Sequence, residues 1–256
     1  MNPYELLCKV IDFGNKELED YTSSKDFQGT HTLVLSSLFR KIIELSDGVR
    51  VCAETGLSGP AEMNYRGLVE ASLSFKYILE DSNLAQNRAI AYRIGFHKEQ
   101  IEAVKDAIAR YSSDAQLKEH YERGLQFHEN ELQKDEFTNV LDEYNRVRAL
   151  DRRGFLPKWY SLYNGPKSIN LLARHLEQNS DDPELMSKLY SFLSTGAHIY
   201  TALAELKLDD QKRFVLNPVW KSFNPNVDQF NLTPTRALLT SSILRFRVCQ
   251  EICVTL

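Results

Sequence analysis

Apolar residues recur at spacings of three and four along almost the whole chain, while clean two-residue alternation is nearly absent. This feature constrains the fold most, because three-and-four spacing lays one apolar stripe along an α-helix, whereas a strand needs a period of two. The chain is therefore predicted to be all-α, a multi-helix bundle forming a single helical domain over its 256 residues. A first helix is read from Pro3 to Tyr21 with Leu6, Leu7, Val10, Ile11 and Leu18 inward, ended by "SSKDFQG". A second, from Thr30 to Glu54, keeps the spacing through Val34, Leu38, Ile42, Leu45, Val49 and Cys52. Pro60 falls in the first turn of a third that runs to Glu80, and "EDSN" caps the next.

Between 98 and 153 the character changes: 23 of 56 residues are charged, 10 basic and 13 acidic, against 26% for the chain. Ile101, Val104, Ile108, Leu132, Phe137, Val140, Leu141 and Tyr144 still keep a thin apolar stripe. A projecting charged helical arm, or insertion, is expected there, with Ile108 and Leu132 among its exposed apolar residues and with a partner protein or a second copy as its target. Gly165 and Pro166 open a short helix from Lys167 to Gln178. Asp181 or Asp182 caps the following one, which has Pro183 in its first turn. The stretch 207–232 is irregular but carries Phe214, Trp220, Phe223 and Phe230, which suggests an ordered cover loop lying on the body. Thr233 and Pro234 start a last amphipathic helix through Leu239, Ile243, Phe246 and Ile252.

Composition narrows the function classes. With 43% hydrophobic residues the chain can bury a core unaided, and its four cysteines are too sparse for a disulfide framework or a metal knuckle, so they are read as reduced core thiols. The N-terminus interrupts any apolar run with charges, and no segment approaches the roughly 18 apolar residues of a membrane span. A cytoplasmic protein without membrane association is expected. A net charge of −4 provides no global footprint for nucleic acid, so RNA binding would need a local basic patch.

Glycine-rich phosphate loops, HExxH, GxSxG and paired CxxC motifs are all missing from the sequence. Two helices do carry polar stripes on apolar surroundings. In "NYRGLVEASLSFKYIL", Arg66 and Glu70 are four apart, with Leu68, Phe75 and Ile78 implying burial on several sides. That spacing also makes an ordinary surface pair worth a few tenths of a kcal/mol. In "LYSFLSTGAHIY", Tyr190, Ser194 and His198 follow one another at intervals of four and so share one face. An imidazole that titrates near neutrality can donate or accept a proton, and the two hydroxyls can orient it; a core seam whose polar tips find partners fits the same letters. If the two helices meet, the five residues form a cationic, acidic and proton-transferring cluster suited to phosphodiester chemistry. A metal held by Glu70 and His198 would lack further ligands, so no metal and no cofactor is expected.

The segments "RGLVEASLSFKYIL", "NRAIAYRIGFHKEQ", "KWYSLYNGPKSINLLARHL" and "LYSFLSTGAHIY", in this order, resemble the bacterial helical family catalogued as domain of unknown function 5677. Its recurring features are an R-x3-E helix and a later Y-x3-S-x3-H helix, matched here by Arg66 and Glu70, then Tyr190, Ser194 and His198. The family is similar in general look to HEPN-type helical domains, which include metal-independent RNases of toxin and phage-defence systems. The resemblance implies an effector of such a system, with His198 as general acid or base, Arg66 stabilising phosphate charge, and Glu70, Tyr190 and Ser194 positioning them. HEPN-like domains commonly pair, which implies a homodimer through the arm or the helix from Thr233 to Leu256. HEPN nucleases also show Arg, then four to six residues, then His; Arg123 and His128 in "RGLQFH" fit, but with 16 Arg and 6 His in the chain about one such pairing arises by chance. Two non-enzymatic readings stand beside the nuclease: a module whose polar cluster binds a small ligand or fixes the core, and an interaction protein that uses the charged arm.

Overall fold

The structure, a computed structural model, describes residues 1–23, 29–150, 156–178, 188–191, 193, 203, 205–228 and 230–254, with 250–254 as backbone alone. Its helices are α1 (Pro3–Thr22), α2 (Thr30–Glu54), α3 (Ser58–Leu79), α4 (Ala85–Arg110), α5 (Ala115–Glu131), α6 (Thr138–Leu150), α7 (Ile169–Glu177) and α8 (Leu232–Val254). Among the described residues the strands are two, β1 (Leu206–Leu208) and β2 (Phe214–Leu216), paired antiparallel with Leu206 opposite Leu216. The protein is all-α apart from this hairpin. The chain divides into two compact units, Met1–Leu79 with Ile169–Leu256, and Glu80–Ser168.

In the first unit α2 packs along α3, and α8 packs against α1, α2 and α3. The periodic positions explain this: Leu7 and Ile11 of α1, Leu38, Phe39 and Ile42 of α2, Leu68, Phe75 and Ile78 of α3, and Leu239, Ile243 and Phe246 of α8 are all buried. At the centre Phe39 stacks on Phe246 with centroids 4.3 Å apart, and Phe75 lies 6.3 Å from Phe39, so three helices meet on one aromatic cluster. Gly14 brings α1 close: a Cβ there would lie 3.4 Å from Ile43 and 3.5 Å from Ile243. Asn2 caps α1 by accepting from the Glu5 N–H at 2.8 Å, with Pro3 at the first helical position.

The stretch expected as a cover loop is partly the hairpin. Phe230 is buried and Phe223 meets Tyr4 edge-on at 5.2 Å, but Phe214 and Trp220 stand in solvent. A ribbon of two three-residue strands has little face of its own to bury, which leaves its apolar side chains outside. The following segment is held by backbone: the Lys221 N–H donates to the Gly56 carbonyl at 2.9 Å. Gly56 has φ +75°, and an added Cβ would land on the Lys221 carbonyl oxygen, so both conformation and space require glycine there.

The second unit contains α4, α5 and α6, with α4 packed on both others. The charged stretch 98–153 lies inside this unit, which begins earlier, at Glu80, and ends later, at Ser168. Ile90, Ala91 and Ile94, which precede that stretch, join Ile101, Phe137, Val140 and Tyr144 within it and Leu162 after it in one core. Leu132, expected at the exposed surface, is instead buried in this core. The reason is the turn after α5, which carries Leu132 and Phe137 inward together, while Arg93 from α4 ion-pairs Glu131 at 2.6 Å and lies over the Phe137 ring at 5.4 Å. α5 itself has no buried residue, as its charge density implies. Among the described residues no helix is long and apolar enough to cross a membrane.

Candidate functional site

α3 is buried on several sides: Tyr65, Leu68, Val69, Leu73, Phe75 and Ile78 are all inside. A cation on such a helix must find partners, because an isolated charge removed from water is costly. Arg66 finds two. Its Nε donates to Glu70 Oε1 at 3.2 Å along the helix, and its Nη2 donates to the Tyr190 hydroxyl at 3.2 Å across 124 residues of sequence. The guanidinium carbon also lies 5.4 Å from the centre of the Tyr190 ring, within cation–π range. Tyr190 belongs to the helical stretch at 188–191 and is itself buried. The hydrogen bond to Tyr190 is the largest influence holding the guanidinium protonated, and burial works against it. The Arg66 side chain is 20% exposed and Glu70 is 42% exposed, so the cluster opens to water on the Glu70 side.

Three of the five sequence-predicted residues, Arg66, Glu70 and Tyr190, are thus brought together; Ser194 and His198 lie outside the described residues. Tyr65, next to Arg66, is no substitute proton acceptor: burial, and then the Asp228 charge, push its phenol up to about 12, so it stays neutral near pH 7. The cluster can therefore present a fixed guanidinium fork. Two of its donors are engaged by Glu70 and Tyr190, and planar forks of this kind match phosphate and carboxylate oxygens.

The Arg123 and His128 pair falls in the second unit and does not converge. Five residues apart on α5, the two side chains are about 140° apart around the helix. Arg123 points to Glu119 at 3.6 Å in solvent, while His128 Nδ1 sits 2.9 Å from Nδ1 of the buried His97. One ring must donate and the other accept, so the pair cannot both be protonated. Burial first, and then the charge of His128, lower the pKa of His97. Phe96 and Phe127 flank the rings with centroids 5.2 Å from His97 and from His128 respectively. Sequence reasoning missed this pair because nothing in the letters links His97 to His128, 31 residues later; the packing of α5 on α4 brings them together. Among the described residues no group of three or more His, Cys, Asp or Glu side chains could hold a metal ion.

No curated protein and no solved structure matches the chain. A family model described as "Family of unknown function (DUF5677)" matches residues 32–213, a span that runs from α2 through the second unit and α7 and takes in Arg66, Glu70, Tyr190, Ser194 and His198. On that match, which covers well over half of its length, the chain belongs to the DUF5677 family.

Proposed function

We propose that the protein is a HEPN-like effector of a bacterial toxin or anti-phage defence system that cleaves RNA without a metal ion. The observation that supports this reading is the Arg66 guanidinium, fixed by Tyr190 and Glu70 yet partly open to water. Arg66 stabilises the charge that develops on a phosphodiester, and Glu70 and Tyr190 hold it in place. His198, eight residues after Tyr190 in the sequence, is the general acid or base: it takes the proton of the attacking ribose hydroxyl or returns one to the departing oxygen, with Ser194 orienting the ring. The protein works in the cytoplasm as a twofold homodimer. Support for the pairing comes from Leu244 and Val248 of α8, which are 60% and 54% exposed and one turn apart.

The test is cleavage of single-stranded RNA by the full chain in the presence of a chelator, and growth inhibition on expression. His198→Ala and Arg66→Gln are each expected to abolish both while leaving the circular dichroism spectrum intact. Cleavage by His198→Ala at the native rate, or no cleavage by the native chain, would refute the reading.

One observation favours a non-catalytic module instead. Glu70 is substantially exposed and four residues from Arg66, the geometry of an ordinary helix-surface pair, which needs no reaction to explain it.

A further inference from the structure

Alternate positions of β1 and β2 sort the hairpin into two faces: Leu206, Leu208, Phe214 and Leu216 share one, and Lys207 and Val215 share the other. The apolar face is the one in solvent. Phe214 and Leu216 on β2 are 75% and 71% exposed, against 57% and 37% for Leu208 and Leu206 on β1, while Val215 on the other face is half-buried. Val219 and Trp220, just past Pro218, are exposed as well. A hairpin that served only to cover its own unit would turn the apolar face inward, and two strands without a third are marginal in water.

The backbone supplies a second, independent sign. The Asp209 N–H donates to the Arg213 carbonyl at 2.9 Å, and the Asn217 N–H to the Glu205 carbonyl at 2.8 Å. Bonded and non-bonded pairs alternate along an antiparallel ladder, so the bonded pair between these two is Lys207 with Val215. Phe214 and Leu216 therefore turn their N–H and C=O groups away from β1, where those groups have no hydrogen-bond partner among the described residues. Strand edges are usually blunted by charge or proline. This one carries a phenylalanine and a leucine, and Pro218 closes only its far end.

Charge narrows the choice of occupant. Arg213 pairs with Asp209 at 2.7 Å and Lys221 with Glu205 at 3.5 Å. Across 205–221 the side chains left without an ion pair among the described residues are Lys207 and Lys212 against Asp210, an excess of one cation. An acidic strand is thereby favoured over a basic one, and over a second copy of the same cationic hairpin.

We propose that β2 is the docking edge for an extended, acidic segment of a partner protein, which adds antiparallel as a third strand. Its alternate apolar side chains lie beside Phe214 and Leu216, its backbone takes their outward N–H and C=O groups, and its carboxylates fall on the face that carries Lys207. The proposal does not depend on the RNA-cleaving reading.

The test titrates the full chain, isotope-labelled for amide spectra, with a blocked peptide that alternates valine with glutamate. The peptide should shift the amides of Phe214 and Leu216 and slow their hydrogen exchange, while exchange at Val215, already bonded to Lys207, changes little. Methylating the valine nitrogens, which face β2 in the antiparallel pairing, should weaken binding by about tenfold or more, and replacing glutamate with lysine by about threefold. Phe214→Thr with Leu216→Thr keeps strand-forming residues, so it should retain the rest of the native spectrum and weaken the peptide by about tenfold. Unmoved amides at millimolar peptide overturn the proposal, and so does equal binding by the methylated peptide, by the lysine peptide or to the folded double variant. Self-association that the double variant loses would assign the edge to a second copy, and anionic vesicles that shift these amides where the peptide does not would assign it to a membrane. Either result overturns the proposal too.

Discussion

Tyr190→Phe removes one oxygen and little else, which makes it a sharp probe of the cluster. The ring stays, and with it the burial of Tyr190 and the 5.4 Å approach of the guanidinium. What is lost is the acceptor of the 3.2 Å bond from Arg66 Nη2. A hydrogen bond to a charged group contributes about 1.5–3 kcal/mol when fully buried. Arg66, however, is 20% exposed, so water recovers part of that loss, and a cost of about 1 kcal/mol is expected. Arg66→Gln should cost about 0.3–0.5 kcal/mol more, because it also ends the helix pair with Glu70. The double variant should then show a coupling of about 1 kcal/mol between the two positions. Urea unfolding followed by circular dichroism, fitted with separate transitions for the two units, measures these differences, and hydrogen exchange of α3 amides localises them to the first unit. A coupling below about 0.3 kcal/mol, within the usual error of additivity, would show that Arg66 and Tyr190 do not hold one another.

The remaining expectations concern the second unit and assembly. The pKa of His97 is depressed in the folded chain, so below about pH 6.5 the unfolded chain binds a proton that the folded one refuses. The contribution of His97 is fully present above that value and falls as the pH drops toward its folded pKa. The groups acting on it are His128, Arg93, Glu131 and Lys134, and of these only Glu131 favours its charge. The protection of α4 amides, taken after correction for the intrinsic pH dependence of exchange, should fall from pH 7.5 to 5.5 in the native chain and much less in His97→Gln; an equal fall in both would refute the assignment. Light scattering should give a mass near twice 29.5 kDa, reduced to one chain by Leu244→Asp with Val248→Asp. A mass of one chain at every concentration removes the dimer.

Helix positions were legible because packing follows the same three-and-four period that the letters display. α2 spans the residues its spacing predicts, and α3 and α8 begin within two residues of theirs. The hairpin was not legible: "LKL" and "FVL" are too short to show an alternation, and their ladder depends on partners six to ten residues apart. The start of the second unit was hidden for a different reason. Charge density rises near residue 98, but the stripe that builds the core runs through that point without a break, from Ile90 and Ile94 to Ile101. Composition marked where the surface becomes polar, not where the packing changes. Leu132 was misplaced for the same reason, since charged neighbours do not reveal a turn that faces inward. The meeting of Arg66 with Tyr190 could be read only as two stripes that each needed a partner, and the cavity between α3, α7 and α8 that Lys76 and Arg245 line could not be read at all. Lys76 lies among apolar letters and Arg245 beside Phe246, and only the packing of α8 on α3 brings their surroundings together.

α3 carries two cations, and the helix geometry decides how they relate. Arg66 and Lys76 are ten residues apart, so they are separated by about 15 Å along the axis and about 80° around it. They therefore leave the helix toward different neighbours. Arg66 turns to the stretch holding Tyr190, and Lys76 to the last turn of α7, where it takes a backbone carbonyl. Each meets the requirement that a cation on a buried helix be hydrogen-bonded, and Lys76 also lines a cavity between α3, α7 and α8. The difference sets what each place can do. A cluster open to water on the Glu70 side can receive a long polymer that passes across it, whereas a cavity of about 220 Å³ receives only a small molecule.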